Sequence, residues 1–370
     1  MSNTTGRATK DMILAQYKKY PLSQVSDILK LLYQSEFGCG HMVTDPADSL
    51  CLIREETDRL PEPALDGAVF ETIGSGYCRL YLRALRRDLL TSETLCAFLV
   101  YTAGQPAGEA AGFEQKAAAF IALCEDKSLP FDAGEVYNAI DKLRADGYPP
   151  FRHSAQYRAA YSPAYRVVRR ELCDFLPLFG AIDALIRKGK PVTVAVDGGS
   201  GAGKSTLAAL LKSIYGCNVF SMDHFFLRPE QRTSKRLGEV GGNIDYERFS
   251  GEVLTPLKAG ETFFYRPYDC RTGALSEPIA VNPHPLNVVE GVYSQHPHFG
   301  DYCDLKVFLA ISKPEQRRRL LARNPQLYDR FVGEWVPKED GYFDHFGIAD
   351  RCDLIFNTGE QEGCCESCSD

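Results

Sequence analysis

Val192–Leu211 reads VTVAVDGGSGAGKSTLAALL, and this stretch decides the fold of the second half of the chain. Val192–Val196 is a short apolar run rich in β-branched residues and bounded by glycines, which predicts a buried strand. The run breaks at Asp197 into a glycine-rich turn, and an apolar pattern at helical spacing resumes at Lys204. Gly198, Gly203, Lys204 and Ser205 complete the pattern G-x-x-x-x-G-K-[ST] of a phosphate-binding loop. Each residue type has a physical reason. Glycine admits positive φ and close approach of an anion to the backbone, and the N–H groups at a helix N-terminus favour negative charge. Lysine can reach the β- and γ-phosphates, and the serine hydroxyl can ligate magnesium. Gly198, Gly199, Ser200, Gly201, Ala202, Gly203, Lys204, Ser205 and Thr206 are therefore the expected nucleotide-binding residues.

The 370 residues are enough for two or three domains, and 44% hydrophobic with 25% charged residues is ordinary for a globular protein. A net charge of -7 argues against nucleic acid as the main partner of the whole chain, leaving a local basic patch open. No apolar run approaches the length of a membrane span, and the polar start MSNTTGRATKDM lacks the apolar core of a signal peptide; a cytoplasmic protein without membrane contact is expected. The thirteen cysteines are mostly single and expected as buried small residues in a reducing compartment. Cys365 and Cys368 form a C-x-x-C pair in a short tail, 361–370, with no second pair to complete a zinc site.

Upstream, residues 10 to 60 read as helices, with Leu22, Val25, Ile28, Leu29 and Leu32 on one face and Gly38 to Gly40 as the stop. Asp45-Pro46 opens another helix. Two β-rich runs flank Gly74-Ser75-Gly76 as a hairpin. Residues 91 to 104, 109 to 127 and 132 to 146 read as helices, and Ser162-Pro163 as the start of a helix running to about Arg187. A mostly helical domain, 1–188, with a small hairpin is expected ahead of a kinase-like domain, 189–360. Two places in it are chemically suggestive. One is Glu36-Phe37-Gly38-Cys39-Gly40-His41; the other is the mixture of Arg152, His153, Tyr157, Arg158, Tyr161, Tyr165 and Arg166, with Arg79, Tyr81 and Arg83 on the hairpin. These either line an anion or nucleic-acid site or are capped ends and amphipathic side chains over a core.

Downstream of the loop, strand and helix alternate as in a doubly wound parallel sheet. Cys217–Met222, Asn287–Val292, Leu305–Ile311 and Cys352–Asn357 read as its strands. Ligands of such sheets bind outside the carboxyl ends of the strands, so Asp223 and Glu290 are candidates to face the phosphates beside Ser205. A helix from about Pro314 carries Arg317, Arg318, Arg319 and Arg323, of which Arg319 and Arg323 share a face.

Five landmarks then follow in order: the loop itself, Met222-Asp223-His224-Phe225-Phe226, Asn243-Ile244-Asp245, Pro267-Tyr268-Asp269 and Val289-Glu290-Gly291. With these, residues 190 to 358 resemble the uridine kinase and phosphoribulokinase branch of phosphate-loop kinases. The resemblance implies a P-loop kinase that uses ATP and Mg2+ to phosphorylate a hydroxyl of a small metabolite. It implies Asp223 as the base that also helps hold magnesium, and Ser205 and Glu290 as the other metal contacts. It implies Asp245, Phe226 and Tyr268 around the acceptor, with Lys204 and Arg319 or Arg323 on the moving phosphate; Arg271 is a further candidate for the acceptor. The chain departs from the uridine kinases in three places. Cys270-Arg271-Thr272-Gly273 stands where they carry a histidine, Phe226 replaces a tyrosine, and the arginines are four apart rather than three. A different class of reading keeps the loop but not the transfer: an ATPase or regulatory nucleotide-binding protein whose first domain binds a partner or nucleic acid. No N-K-x-D motif points to guanine.

Overall fold

The structure is a computed structural model that describes residues 2–39, 43, 45–60 and 67–359. Gly40, His41 and the cysteine pair of the tail lie outside the described residues. Contacts divide the chain into two units, Met1–Gly180 and Ala181–Asp370. None of the described helices is long and apolar enough to cross a membrane.

The first unit begins with α1 (Ser2–Lys19), α2 (Val25–Phe37) and α3 (Pro46–Asp58), followed by β1 (Phe70–Thr72), β2 (Tyr77–Tyr81) and α4 (Arg83–Arg86). It continues through α5 (Ser92–Ala103), α6 (Ala110–Glu125), α7 (Ala133–Ala145), α8 (Ala155–Tyr161), β3 (Tyr165–Arg169) and α9 (Arg170–Asp174) into α10 (Leu176–Ile186). Side-chain caps set several helix starts: Asp45 accepts from Ala47 N–H ahead of Pro46, and Thr91, Asp132 and Ser154 cap α5, α7 and α8. Ile13, Ile28, Leu32, Phe113, Phe120, Val136 and Ile140 meet in one apolar cluster. Leu22 is not on that face; it precedes α2 and is 47% exposed.

The helix expected from Ser162 to Arg187 is interrupted. Ser162 ends α8 in a left-handed conformation, and β3 pairs antiparallel with β2, so the expected hairpin is a three-stranded sheet in the order β1-β2-β3. The pairing gives the central strand partners on both edges, and it buries Val167 and Val168, whose β-branched side chains suit a pleated surface.

Pairing also buries charge. Arg79 is 1% exposed, donates from Nε and Nη2 to Gln34 Oε1 at 2.9 and 2.8 Å, and meets Glu71 at 3.2 Å. Its guanidinium lies over the Tyr165 ring, whose hydroxyl hydrogen-bonds His153 Nε2 at 2.5 Å, and His153 Nδ1 meets Asp27 at 2.8 Å. Burial pushes the Asp27 carboxyl up, but hydrogen bonds from His153 and Ser154 outweigh it and hold it below its ordinary value. Arg79, Tyr81, His153 and Tyr157 are thus spent on a buried polar network rather than displayed to a nucleic acid. Removing the guanidinium takes both of its donors from Gln34 Oε1 and one partner from Glu71, which keeps Lys19 at 2.6 Å and the Tyr20 hydroxyl at 3.1 Å. Arg79→Ala is expected to cost roughly 3–5 kcal/mol in urea unfolding, the scale for breaking a buried pair; a loss below about 1 kcal/mol would contradict the network's role.

The second unit is built on β4 (Val192–Gly198), α11 (Lys204–Tyr215) and β5 (Asn218–Ser221). Three short helices follow, α12 (Ser234–Leu237), α13 (Tyr246–Phe249) and α14 (Thr255–Ala259), then β6 (Phe263–Tyr265), β7 (Tyr268–Asp269), β8 (Ala274–Leu275) and β9 (Ile279–Val281). The chain returns to the sheet with β10 (Leu286–Glu290) and β11 (Leu305–Ala310), passes α15 (Lys313–Arg323), α16 (Tyr328–Arg330) and α17 (Val336–Phe346), and ends on β12 (Leu354–Asn357). Five strands, β12-β11-β4-β10-β5, form one parallel sheet. β4 is buried throughout, which explains its unbroken apolar run. α11 packs on β4, β5 and β10, and Phe343 of α17 meets Phe308 of β11 edge-on at 5.1 Å. The small pairs β6-β9 and β7-β8 are additions that the alternating pattern did not announce.

Candidate nucleotide and acceptor site

β4 lies at the centre of the sheet, between β10 and β11, so the turn that follows it opens at the reversal of strand order. That turn requires glycine. Gly198 has φ 142°, and a Cβ there would strike the Leu309 carbonyl of β11. Gly203 caps α11 from the left-handed region at φ 96°.

The loop is held from three sides. Beneath it, the fully buried Asp197 accepts from Gly198 N–H at 2.8 Å, from Gln295 N–H at 3.1 Å and from the Tyr342 hydroxyl at 2.9 Å. From α15, Gln316 donates to the Ser200 carbonyl at 2.8 Å and Arg319 to the Gly201 carbonyl at 3.2 Å. From α17, Glu339 accepts from Ser200 N–H at 2.8 Å and from its hydroxyl at 2.5 Å. The Lys204 ammonium donates to the carbonyls of Gly198 at 2.7 Å and Gly199 at 3.0 Å.

At the strand ends, the Ser205 hydroxyl donates to Glu290 at 3.1 Å, joining the first turn of α11 to the end of β10. Burial, and then the nearby Asp223 charge, raise the Glu290 carboxyl above its ordinary value. Gly291, at φ 137°, lets the chain turn there: a Cβ would lie 2.7 Å from Met222 Cβ. Asp223 itself is exposed, on a 3-10 turn directly after β5. A hydroxyl and two carboxylates are the hard oxygen donors that suit magnesium. Ser205 and Glu290, with Asp223 beside them, are the residues that could hold such an ion; among the described residues no three His, Cys, Asp or Glu side chains form a metal-binding group.

The expected acceptor residues are divided. Phe226 pairs by a backbone bridge with Ile244, which brings Asp245 alongside the turn of Asp223. Both Asp245 oxygens are engaged, one by Arg248 N–H as the cap of α13 and one by Gln231 at 2.9 Å, so a diol would have to take one over. Tyr268 is buried and its hydroxyl accepts from Arg232 at 3.2 Å. Arg271 is not brought in: at the β7-β8 tip its side chain is 91% exposed and leans on Asp269 at 3.4 Å. The arginines of α15 also separate. Arg319 reaches Gly201 and the Thr358 carbonyl and pairs with Glu315 at 2.7 Å, whereas Arg323, one turn further on, is exposed at the helix end. Sharing a helix face did not carry both to the loop, because the axis of α15 leads away from it.

A central β4, a glycine loop at its carboxyl end, and strand order β12-β11-β4-β10-β5 decide the architecture. The second unit has a P-loop kinase fold. No protein-family model and no curated protein matches the chain. Among solved structures it is similar to a possible uridine kinase from Bacillus stearothermophilus, with 22% identity and a TM-score of 0.36, over 48% of this chain and 98% of that one. A protein provisionally described as a fructose transport system kinase from Silicibacter sp. TM1040 is 20% identical with a TM-score of 0.38, over 47% of this chain and 98% of that one. The YGR205w protein is 16% identical with a TM-score of 0.36, over 51% and 94%. These likenesses concern fold, and about half of the chain has no counterpart in them.

Sequence reading missed Asp197, Gln316 and Glu339. Asp197 carried a signal, a lone charge closing an apolar strand; the other two, 116 and 139 residues from Ser200, carried none. Burial pushes the Asp197 carboxyl up to about 6 from 3.8. The folded state therefore holds this proton more tightly than the unfolded one. The group's contribution to stability is complete at low pH and is lost as pH rises from about 4 to about 6, on the order of 3 kcal/mol. Urea midpoints across that window should fall less steeply in Asp197→Asn than in the parent; parallel curves would contradict the shift.

Proposed function

We propose that the chain is an ATP- and magnesium-dependent kinase that phosphorylates a hydroxyl of a small, nucleoside-like or sugar-like molecule. The observation that carries this reading is the meeting of Ser205, Glu290 and Asp223 beside the phosphate loop, from three different elements. Lys204 leaves the Gly198 and Gly199 carbonyls and turns to the β- and γ-phosphates, while the N-terminus of α11 faces their charge. Ser205 and Glu290, with Asp223 alongside, would hold magnesium, which would supply positive charge against the charge that develops on transfer. Asp223, exposed at the strand end, accepts the proton of the acceptor hydroxyl. Arg319 stabilises the migrating group from the Gly201 side of the loop. Phe226 and Tyr268 wall the acceptor, and Asp245 offers a carboxylate to its hydroxyls.

The experiment is ADP release from ATP and magnesium with and without pools of nucleosides, sugars and hydroxy acids. Release that depends on an acceptor is the expected result. Release without one would make the chain an ATPase, and none under any pool would leave a regulatory nucleotide-binding module. In the active combination, Asp223→Asn should retain ATP binding and lose about 100-fold or more in turnover, the scale of a removed general base. An unchanged rate would take Asp223 out of that role.

A further inference from the structure

The phosphate loop already holds an anion, and it belongs to the protein. Glu339 is 6% exposed and its carboxylate engages both the N–H and the hydroxyl of Ser200, at 2.8 and 2.5 Å. Lys204, the cation that the loop keeps for phosphate, is folded onto the loop's own carbonyls. Resting on the reading of this loop as a nucleotide site, we propose that Glu339 is an internal competitor for it, and that nucleotide binding releases the N-terminal turns of α17 from the loop.

The two clamps on Ser200 and Gly201 differ in kind. Gln316 and Arg319 hold carbonyls from α15 with neutral or positive groups, which a triphosphate tolerates or welcomes. Glu339 holds an N–H with a negative charge, and a triphosphate arriving on the same loop meets a buried like charge with little water to screen it. The charge leaves most simply with the N-terminal turns of α17, since the C-terminal half is packed in the core: Tyr342 is fully buried against Tyr293 and His296, and Phe343 meets Phe308. The N-terminal part is entered through a π-helical turn, Phe331–Trp335, with a proline in its own first turn. Its ionic tie to α15, Lys313 to Asp340 at 2.5 Å, is part-exposed on both sides. The Tyr342 hydroxyl on Asp197 sits beneath the loop rather than on it.

The chain provides its own reporter. Trp335 is the single tryptophan of the sequence and stands at the N-cap of α17, edge-on to Phe331 at 4.5 Å and under the Arg330 guanidinium at 4.9 Å. The full-length protein would be titrated with magnesium-ADP and with a non-hydrolysable ATP analogue. Tryptophan emission and equilibrium dialysis would be followed in parallel. In the parent chain, saturation should shift Trp335 emission. Glu339→Gln keeps an oxygen acceptor for Ser200 but removes the charge, and should bind both nucleotides about 10-fold more tightly, the effect of one like charge removed. Its emission before nucleotide should already lie toward the saturated value. Binding by Glu339→Gln alone would also support the competitor. Equal or weaker binding by Glu339→Gln, with Trp335 unmoved at saturation in the parent, would overturn it while leaving the nucleotide site in place. Absence of nucleotide binding in both proteins would overturn the nucleotide reading of the loop and the competitor with it.

Discussion

The Asp197 carboxylate is the constraint on which the site depends. It is fully buried, and it gathers Gly198 N–H, Gln295 N–H and the Tyr342 hydroxyl from three separate parts of the second unit. A glycine loop is soft by nature, since glycine has more backbone freedom to lose than any other residue. Fixing it over a carboxylate that accepts three hydrogen bonds converts softness into a defined cradle, and burial of that carboxylate is the cost. The geometry explains why β4 ends in a charge: the last residue of an apolar strand must offer acceptors to the turn that leaves it. It also explains why α17, remote in sequence, reaches the underside of the loop, because Tyr342 hydrogen-bonds the same carboxylate.

Much of this unit was legible in the residues. A strand buried on both faces must be apolar throughout, and Val192–Val196 is; a close backbone approach must be glycine, and Gly198 and Gly291 are. The carboxylates expected at strand ends, Asp223 and Glu290, stand directly after β5 and at the end of β10. What the sequence did not disclose depends on distance in the chain. Glu339 sits in a run of mixed charges, Lys338-Glu339-Asp340, that reads as a solvated helix face; only the packing of α17 turns one of those charges inward. Arg319 and Arg323 were equivalent by spacing and became different through the direction of a helix axis. Arg271 was expected around the acceptor, but a two-residue strand pair carries it out to a hairpin tip.

The first unit shows the same limit from the opposite side. Its arginines and tyrosines read either as an anion surface or as side chains over a core, and β3 places Arg79, Tyr81, His153, Tyr157 and Tyr165 against one another while Arg152 and Arg158 stay exposed. Tyr165-Arg166-Val167-Val168-Arg169 followed a proline and preceded a strongly helical segment, so helix propensity on both sides hid a five-residue strand. Once that strand pairs with β2, Arg79, Gln34, Glu71 and Tyr165 satisfy each other, and Asp27, His153 and Ser154 complete a polar core beside the apolar one. Such a network specifies a fold when every member is paired.

A phosphate loop held by Asp197 below and α15 beside it, an oxygen-rich strand end, and a base on the turn after β5 together make a small-molecule kinase of the second unit in the account proposed above. Its central claim is that Gly198–Thr206, through Lys204, holds the phosphates of ATP. Equilibrium binding of ATP to the full-length chain, with and without magnesium, tests this most directly when set beside Lys204→Ala. The account predicts saturable binding that magnesium strengthens and that the substitution removes. ATP binding unaffected by Lys204→Ala, or no saturable binding in the parent chain, would contradict it.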